Sequence, residues 1–245
     1  MFKFNIIKLD AITSTNDWLK DKYDEKSCVD GDLIWANEQT KGRGQKNNTW
    51  LSEPGKNLTF SFFKVFESLK GTDQFMINCI VSCAIANALK KIDIPNLSLK
   101  WPNDILSDNK KICGILIENY IKGDVIIASI IGIGLNVNQT DFKNINGASS
   151  LYNLTKKKFD RELVLDLLLD SLIESFKLCK NMNKRSIIKN YEKLLFSRNQ
   201  LSRFELNNKF FNATIKGIDF NGKLILENEK KEIIVFSDSS VKMIY

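Results

Sequence analysis

The chain contains no histidine. That excludes Ser-His-Asp and Cys-His nucleophiles and any zinc site built on imidazole. The remaining chemistry must run on charge, positioning and bound Mg²⁺. No C-x-x-C pair occurs among the five cysteines, Cys28, Cys79, Cys83, Cys113 and Cys179. An odd number of free thiols fits a reducing cytosol. Cys79 and Cys83, four apart on an expected helix, bring no further ligands with them and read as core thiols. No apolar run approaches the ~20 residues that span a bilayer. Met1-Phe2-Lys3-Phe4 opens into a strand-like alternation with no small-residue cleavage site after it,. Repeats and low-complexity linkers are also missing. A cytoplasmic protein without membrane contact is expected.

What is present fits one substantial domain plus a small appendix in 245 residues,. A content of 43% hydrophobic and 27% charged residues is ordinary for a soluble globular chain,. The formal net charge of +7 could serve nucleic-acid binding, but the lysines are spread along the chain,. Strands are expected at 3–9, 33–36, 58–63 and 97–101, with Pro102 stopping the last. The β-branched runs 111–118 and 125–137 read as neighbours in one sheet. Ser14-Thr15-Asn16 offers a helix N-cap. Residues 75–89 are apolar nearly all round and read as a buried helix. Further helices are expected at 160–179 and 184–196. From Leu201 short strands recur, with turns at Asn207-Asn208 and Asn221-Gly222. The expected division is 1–199 and 200–245, the second part a small β-barrel.

Residues 37–56 are polar and glycine-rich, and so long a loop inside a compact domain is usually functional. Its glycines in Gly42-Arg43-Gly44 let backbone N–H groups approach an anion, while Arg43 and Lys46 bring positive charge. Trp50, closing the loop, could stack on a purine or anchor the loop's return to the sheet. In Lys100-Trp101-Pro102-Asn103-Asp104 the proline imposes a rigid turn, after which Asp104 can face a metal or a lysine. Lys111 precedes Gly114, and Gly132 and Gly134 follow one strand later; a glycine within a strand often marks close approach of a ligand. Gly132-x-Gly134 is followed by a strand, not a helix, so it is no dinucleotide fingerprint. Cations, flexible glycines and strands in this order suit a pocket that brings two anions together, as in activating a carboxylate with ATP.

These motifs, in this order and spacing, resemble those of biotin protein ligases. The resemblance runs from residue 1 to about 199, and the tail resembles the family's SH3-like domain. It implies an α+β fold, a mixed β-sheet flanked by helices of the class II synthetase type with a small SH3-like β-barrel. It implies two half-reactions: biotin and ATP give biotinyl-5′-AMP, and a lysine of a biotin carboxyl carrier protein, an acetyl-CoA carboxylase subunit, then takes the biotinyl group. Carried over by position, Lys111 and Arg43 become the catalytic cations. Ser14, Thr15, Asn16, Gln39, Arg43, Gly44, Gln45, Lys111, Gly114, Leu116 and Gly132 become biotin-binding. Lys46, Trp50, Lys100, Asn103, Asp104 and Asn136 become ATP-binding, with Asp104 a weaker candidate for Mg²⁺.

The chain departs from the commonest family loop at Gln45 and Asn48, which stand where arginines do, and at Asn47, which stands for glycine. Gln cannot neutralise phosphate as Arg does, so a looser hold on the adenylate is expected unless Lys46 compensates. The catalytic pattern starts within the first residues, so no winged helix-turn-helix and no DNA partner are expected; the resemblance admits a homodimer. The nearest rival is a lipoate ligase or lipoyl-octanoyl transferase. A non-catalytic nucleic-acid-binding module is more remote, since the tail lacks a stacking platform.

Overall fold

A seven-stranded mixed sheet is followed in the chain by a five-stranded antiparallel one. The computed structural model describes residues 2–143, 145–237 and 240–245, with Asn47 only in its backbone. Met1 and the Asn47 side chain, both considered above, therefore lie outside the described residues.

The first sheet begins with β1 (Asn5–Ile12) and β2 (Asp32–Gln39), which pair in parallel because α1 (Thr15–Asp24) carries the chain back between them,. The expected cap holds: the Ser14 hydroxyl accepts from the Asp17 N–H at the start of α1,. β3 (Leu58–Lys70), β4 (Leu97–Lys100), β5 (Asp104–Ser107), β6 (Lys110–Lys122) and β7 (Val125–Leu135) complete the order β1-β2-β3-β7-β6-β5-β4. β6 and β7 are antiparallel neighbours, as their patterning implies. β5 is an addition. The Trp101–Pro102 peptide is cis, and the chain reverses there so that Lys100 faces Asp104 across a tight hairpin.

Period-two alternation gives this sheet two different faces. Leu33, Trp35, Phe60, Phe62, Ile131 and Ile133 join the main core. They pack under α2 (Gln74–Lys90), α4 (Arg161–Cys179) and α5 (Lys184–Lys193). α2 is apolar nearly all round because the sheet, α4 and α5 all contact it,. The alternate residues Ile34, Phe63, Ala128 and Ile130 form a smaller cluster with Leu19 of α1. A short α3 (Leu151–Thr155) is capped by Ser150, and α4 by Asp160, which accepts from the Glu162 and Leu163 N–H groups. α5 ends earlier than expected, because Leu194 to Phe196 lie along β4: Leu99 N–H donates to Leu194 O, and Phe196 N–H to Leu99 O. No helix among the described residues is long and apolar enough to cross a membrane.

The second sheet contains β8 (Leu201–Leu206), β9 (Lys209–Ile218), β10 (Leu224–Asn228), β11 (Ile233–Phe236) and β12 (Lys242–Ile244), in the order β11-β10-β9-β8-β12. Asn207 and Asn208 both have positive φ, as a two-residue hairpin turn with right-handed twist requires,. Strand pairing does not close this sheet into the expected barrel; among the described residues β11 and β12 are its edges. Several contacts fasten it to the first part. Glu192 Oε1 accepts from Ile218 N–H at 3.0 Å, and the Trp101 indole N–H donates to Gly222 O at 2.8 Å. Gly222 has φ +80°, and a Cβ there would stand 2.0 Å from Cγ of Phe75. Gly222→Ala is therefore expected to destabilise the protein by about 1–3 kcal/mol, the usual range for overpacking. Denaturant unfolding that matches wild type would show that the turn is not seated on Phe75.

Candidate active site

The face of the first sheet that carries α1 changes character along its strands. Near α1 it presents Ile130 and Phe63; further on it presents Gly132, Gly134, Gly114, Ser61 and Thr59, which face one another across β3, β7 and β6. With such small side chains the backbone is open to close approach. The groups that approach are the protein's own. A Cβ on Gly132 would lie 2.1 Å from Asn16 Oδ1, and one on Gly134 2.3 Å from the Trp50 ring. Over this face lies a cavity of about 260 Å³.

One end of the cavity is neutral and hydrogen-bonded. Gln39 Oε1 accepts from the Thr15 backbone N–H at 2.8 Å and its hydroxyl at 2.9 Å. Thr15 Oγ1 lies 2.7 Å from Ser61 Oγ, and Ser61 Oγ donates to Asn16 Oδ1 at 2.6 Å. Asn16 Nδ2 continues the chain to Glu118 Oε2 at 2.6 Å. Ser14, Thr15, Asn16 and Ser61 are buried, so this network is fixed before any ligand arrives,.

The other end is cationic, with Lys100 and with Lys111, whose Nζ is held by Asp104 Oδ1 at 2.7 Å. Arg43 stands at the junction of the two, held by Asp17 at 2.7 Å and at 2.8 Å by the Glu118 oxygen that Asn16 also bonds. Burial holds the Lys100 ammonium below its usual pKa; Asp104 opposes that shift and Lys111 adds to it,. The Cys113 thiol, one strand residue from Gly114, is pushed up by burial and stays protonated and inert,. Asn103 is reciprocally bonded to β6: its Nδ2 donates to Ile115 O at 2.7 Å, and Ile115 N–H to Asn103 O at 3.1 Å. The loop 42–50 is a hairpin. Arg43 and Thr49 form an antiparallel bridge, Gly44 N–H donates to Asn48 O, and Lys46 sits in the left-handed region at φ 52°.

The cavity wall gathers nearly every residue expected from sequence. Ser14, Thr15, Asn16, Gln39, Arg43, Gly44, Gln45, Lys46, Trp50, Lys100, Asn103, Asp104, Lys111, Gly114, Leu116 and Gly132 all line it. Asn136 does not. Its N–H bonds Ile112 O, and its buried Nδ2 donates to Ser149 O at 3.0 Å, leaving Oδ1 without a partner. The Asp104 carboxylate is paired with Lys111. Ser61, Glu118 and Asp17 were not anticipated. Each stands in a strand or helix where an outward polar residue is ordinary, so only the register of β3, β6 and α1 reveals them. The second sheet also contributes wall residues, Phe204, Leu224 and Lys242 among them.

A mixed sheet flanked by helices carries, on one face, a single cavity with neutral hydrogen-bonding groups and cations in its wall. Residues 9–136 match the Biotin/lipoate A/B protein ligase family, and the chain belongs to it. The bifunctional ligase/repressor BirA of Escherichia coli is 26% identical over 227 residues, covering 92% of this chain and 70% of BirA. The human biotin--protein ligase is 33% identical over 150 residues, covering 58% of this chain and 20% of the human protein. Among solved structures, the biotin protein ligase from Aquifex aeolicus in complex with biotin and ATP superposes with a TM-score of 0.80 at 28% identity, covering 98% of both chains.

Trp50 gives this geometry a direct readout. Gly134→Ala inserts a methyl group where the indole lies. The variant is expected to keep its fold, since β7 accepts alanine, but to release Trp50 toward water and red-shift tryptophan emission. An unchanged spectrum would place Trp50 elsewhere.

Proposed function

We propose that the protein is an ATP-dependent ligase that activates biotin as biotinyl-5′-AMP and transfers the biotinyl group to a lysine of a biotin carboxyl carrier protein. The observation that carries this reading is the single cavity that joins a neutral, hydrogen-bonded end to a cationic one. A ureido ring has donors and acceptors to match the Thr15, Asn16 and Gln39 groups, and the aliphatic tail leads its carboxylate toward Lys111 and Arg43. A dithiolane has no such groups. A site built around buried hydrogen-bonding partners rejects an analogue that leaves them unpaired, which favours biotin over lipoate.

In the first step the biotin carboxylate, already ionised at neutral pH, attacks the α-phosphorus of ATP and pyrophosphate departs. No general base is needed, consistent with a chain lacking histidine. The barrier is repulsion between two anions, which Lys111 and Arg43 reduce by exchanging protein carboxylates for substrate oxygens. In the second step a carrier lysine, as the free amine, attacks the carbonyl carbon of the mixed anhydride, and AMP leaves. Trp50 supplies the adenine contact. Its buried, partnerless indole N–H supports that assignment, because a purine edge offers the missing acceptor,. Asp104, the acidic residue on the wall, would hold Mg²⁺ together with the nucleotide phosphates, and the ion would neutralise phosphate charge there,. Five free cysteines suit a cytosolic setting,. The boundary at residue 199 separates the part that carries the first sheet from the part that carries the second.

The decisive experiment incubates the protein with biotin, MgATP and a carrier domain and follows the carrier's mass. A biotinyl increment on one lysine is expected; its absence, or an equal increment with lipoate, would overturn the reading. Lys111→Ala is expected to lower biotin-dependent pyrophosphate release about 10²–10³-fold, the scale for removing one group that stabilises developing charge. A rate within a few-fold of wild type would remove Lys111 from the chemistry. Thr15→Val removes the hydroxyl shared by Gln39 and Ser61 while keeping shape, and about a 10-fold or greater rise in the KM for biotin is expected, with the KM for ATP little changed. Equal rises in both would contradict a ureido role.

A further inference from the structure

The cations of the cavity differ in what holds them. Arg43 has two carboxylates and Lys111 has one. Lys100 has an aromatic ring. The Tyr245 hydroxyl lies 3.3 Å from Lys100 Nζ, and its ring centroid lies 4.3 Å away. Tyr245 is braced in turn by Phe196, edge to face with centroids 5.1 Å apart. Phe196 is itself fixed, since its N–H donates to Leu99 O at 2.9 Å, one residue before Lys100. One segment, 194–196, therefore holds the backbone leading to Lys100 and the ring that covers its side chain.

The chemistry of the contact matters. Asp104 faces Lys100 across the hairpin and acts on it at a distance, but its carboxylate is paired with Lys111, so no ion pair on Lys100 competes with an incoming phosphate. A π face attracts an ammonium without cancelling its charge. It also restrains a flexible four-carbon stem that would otherwise sample many rotamers. The burial that depresses the Lys100 pKa makes such a neutral partner more valuable, because the contact strengthens as water is excluded,.

We propose that Tyr245 is a positioning residue for the nucleotide half-reaction, holding the Lys100 ammonium at the cavity wall so that an ATP phosphate meets it already oriented. The inference rests on the ATP-dependent reading above and extends it to a residue outside every motif of the sequence. Tyr245 is about half exposed, so its replacement leaves the core untouched.

The test is steady-state pyrophosphate release with biotin and ATP varied separately. Tyr245→Ala is expected to raise the KM for ATP about 3–10-fold, the range of a partly desolvated cation–π contact, with the KM for biotin within two-fold of wild type. Tyr245→Phe keeps the ring and is expected to stay within about two-fold on both. Lys100→Met raises the KM for ATP by itself, and adding Tyr245→Ala to it is expected to change nothing further, because the residue acts through Lys100. An unchanged KM for ATP in Tyr245→Ala, an equal rise for biotin, or additivity in the double variant would each overturn the inference while leaving the ligase reading intact. Wild-type protein that releases no pyrophosphate would overturn that reading, and this inference with it.

Discussion

The active site depends on one restriction: along the α1 face of the first sheet, the side chains shrink to glycine and serine beyond Ile130. A sheet buries both faces against something. Here α1 covers part of that face, reaching Gly132 through Asn16, and Trp50 lies on Gly134 beside the cavity. Those two side chains could not come so close over any larger residue. The same smallness places Ser61 within reach of both Thr15 and Asn16, so that strands carry the hydrogen-bonding end of the cavity. Groups mounted on strands keep their geometry better than groups on loops, and a neutral ligand ring needs that fixity to be told from its analogues.

The cationic end obeys a different logic. The paired side chains around Arg43 and Lys111 are a third or so exposed, between 33% and 40% apart from the more buried Asp104. Ion pairs this exposed contribute little to stability. Their value is orientation. Asp104 lies on β5 opposite Gly114 of β6, so one ladder spaces it from Lys111. Glu118, four residues beyond Gly114 on the same face of β6, holds both Asn16 and Arg43. The neutral and cationic ends are therefore linked through a single carboxylate, and a ligand that engages Asn16 acts on the same atom that restrains Arg43.

The fold was legible where periodicity was strong. The buried helix α2, the neighbouring strands β6 and β7, and the capped start of α1 follow from patterning, and the paired asparagines mark their hairpin. β5 was not legible, because four residues after a Pro-Asn turn carry too little period to register. Barrel closure was not either, since it depends on whether the edges β11 and β12 meet, a matter of curvature and not of pattern. At the site, motif glycines were read as room for a ligand, and they turn out to accommodate the chain's own Asn16 and Trp50. Asn136 was placed with the cavity by its motif, yet its bond to Ser149 turns its amide into the interior. Ser61, Glu118 and Tyr245 carry no local signal at all; only the tertiary fold brings them against the wall residues Asn16, Arg43 and Lys100.

Five consecutive residues show how tightly the two sheets are joined. Lys100 meets Tyr245, Trp101 bonds Gly222, Pro102 O accepts from Asn78, Asn103 is clasped by β6, and Asp104 holds Lys111. Alternation along the turn sends these contacts in different directions. Lys100 and Trp101 face the second sheet and its end, while Asn103 and Asp104 face β6 of the first. The β4–β5 hairpin is therefore fixed from both sides, by the second sheet at Lys100 and Trp101 and by β6 at Asn103 and Asp104. That double anchoring sets where Lys100 stands relative to Lys111, and Coulomb attraction in a partly desolvated cavity falls steeply with distance. The second sheet, peripheral in sequence, thus forms part of the frame that fixes the charge geometry of the first.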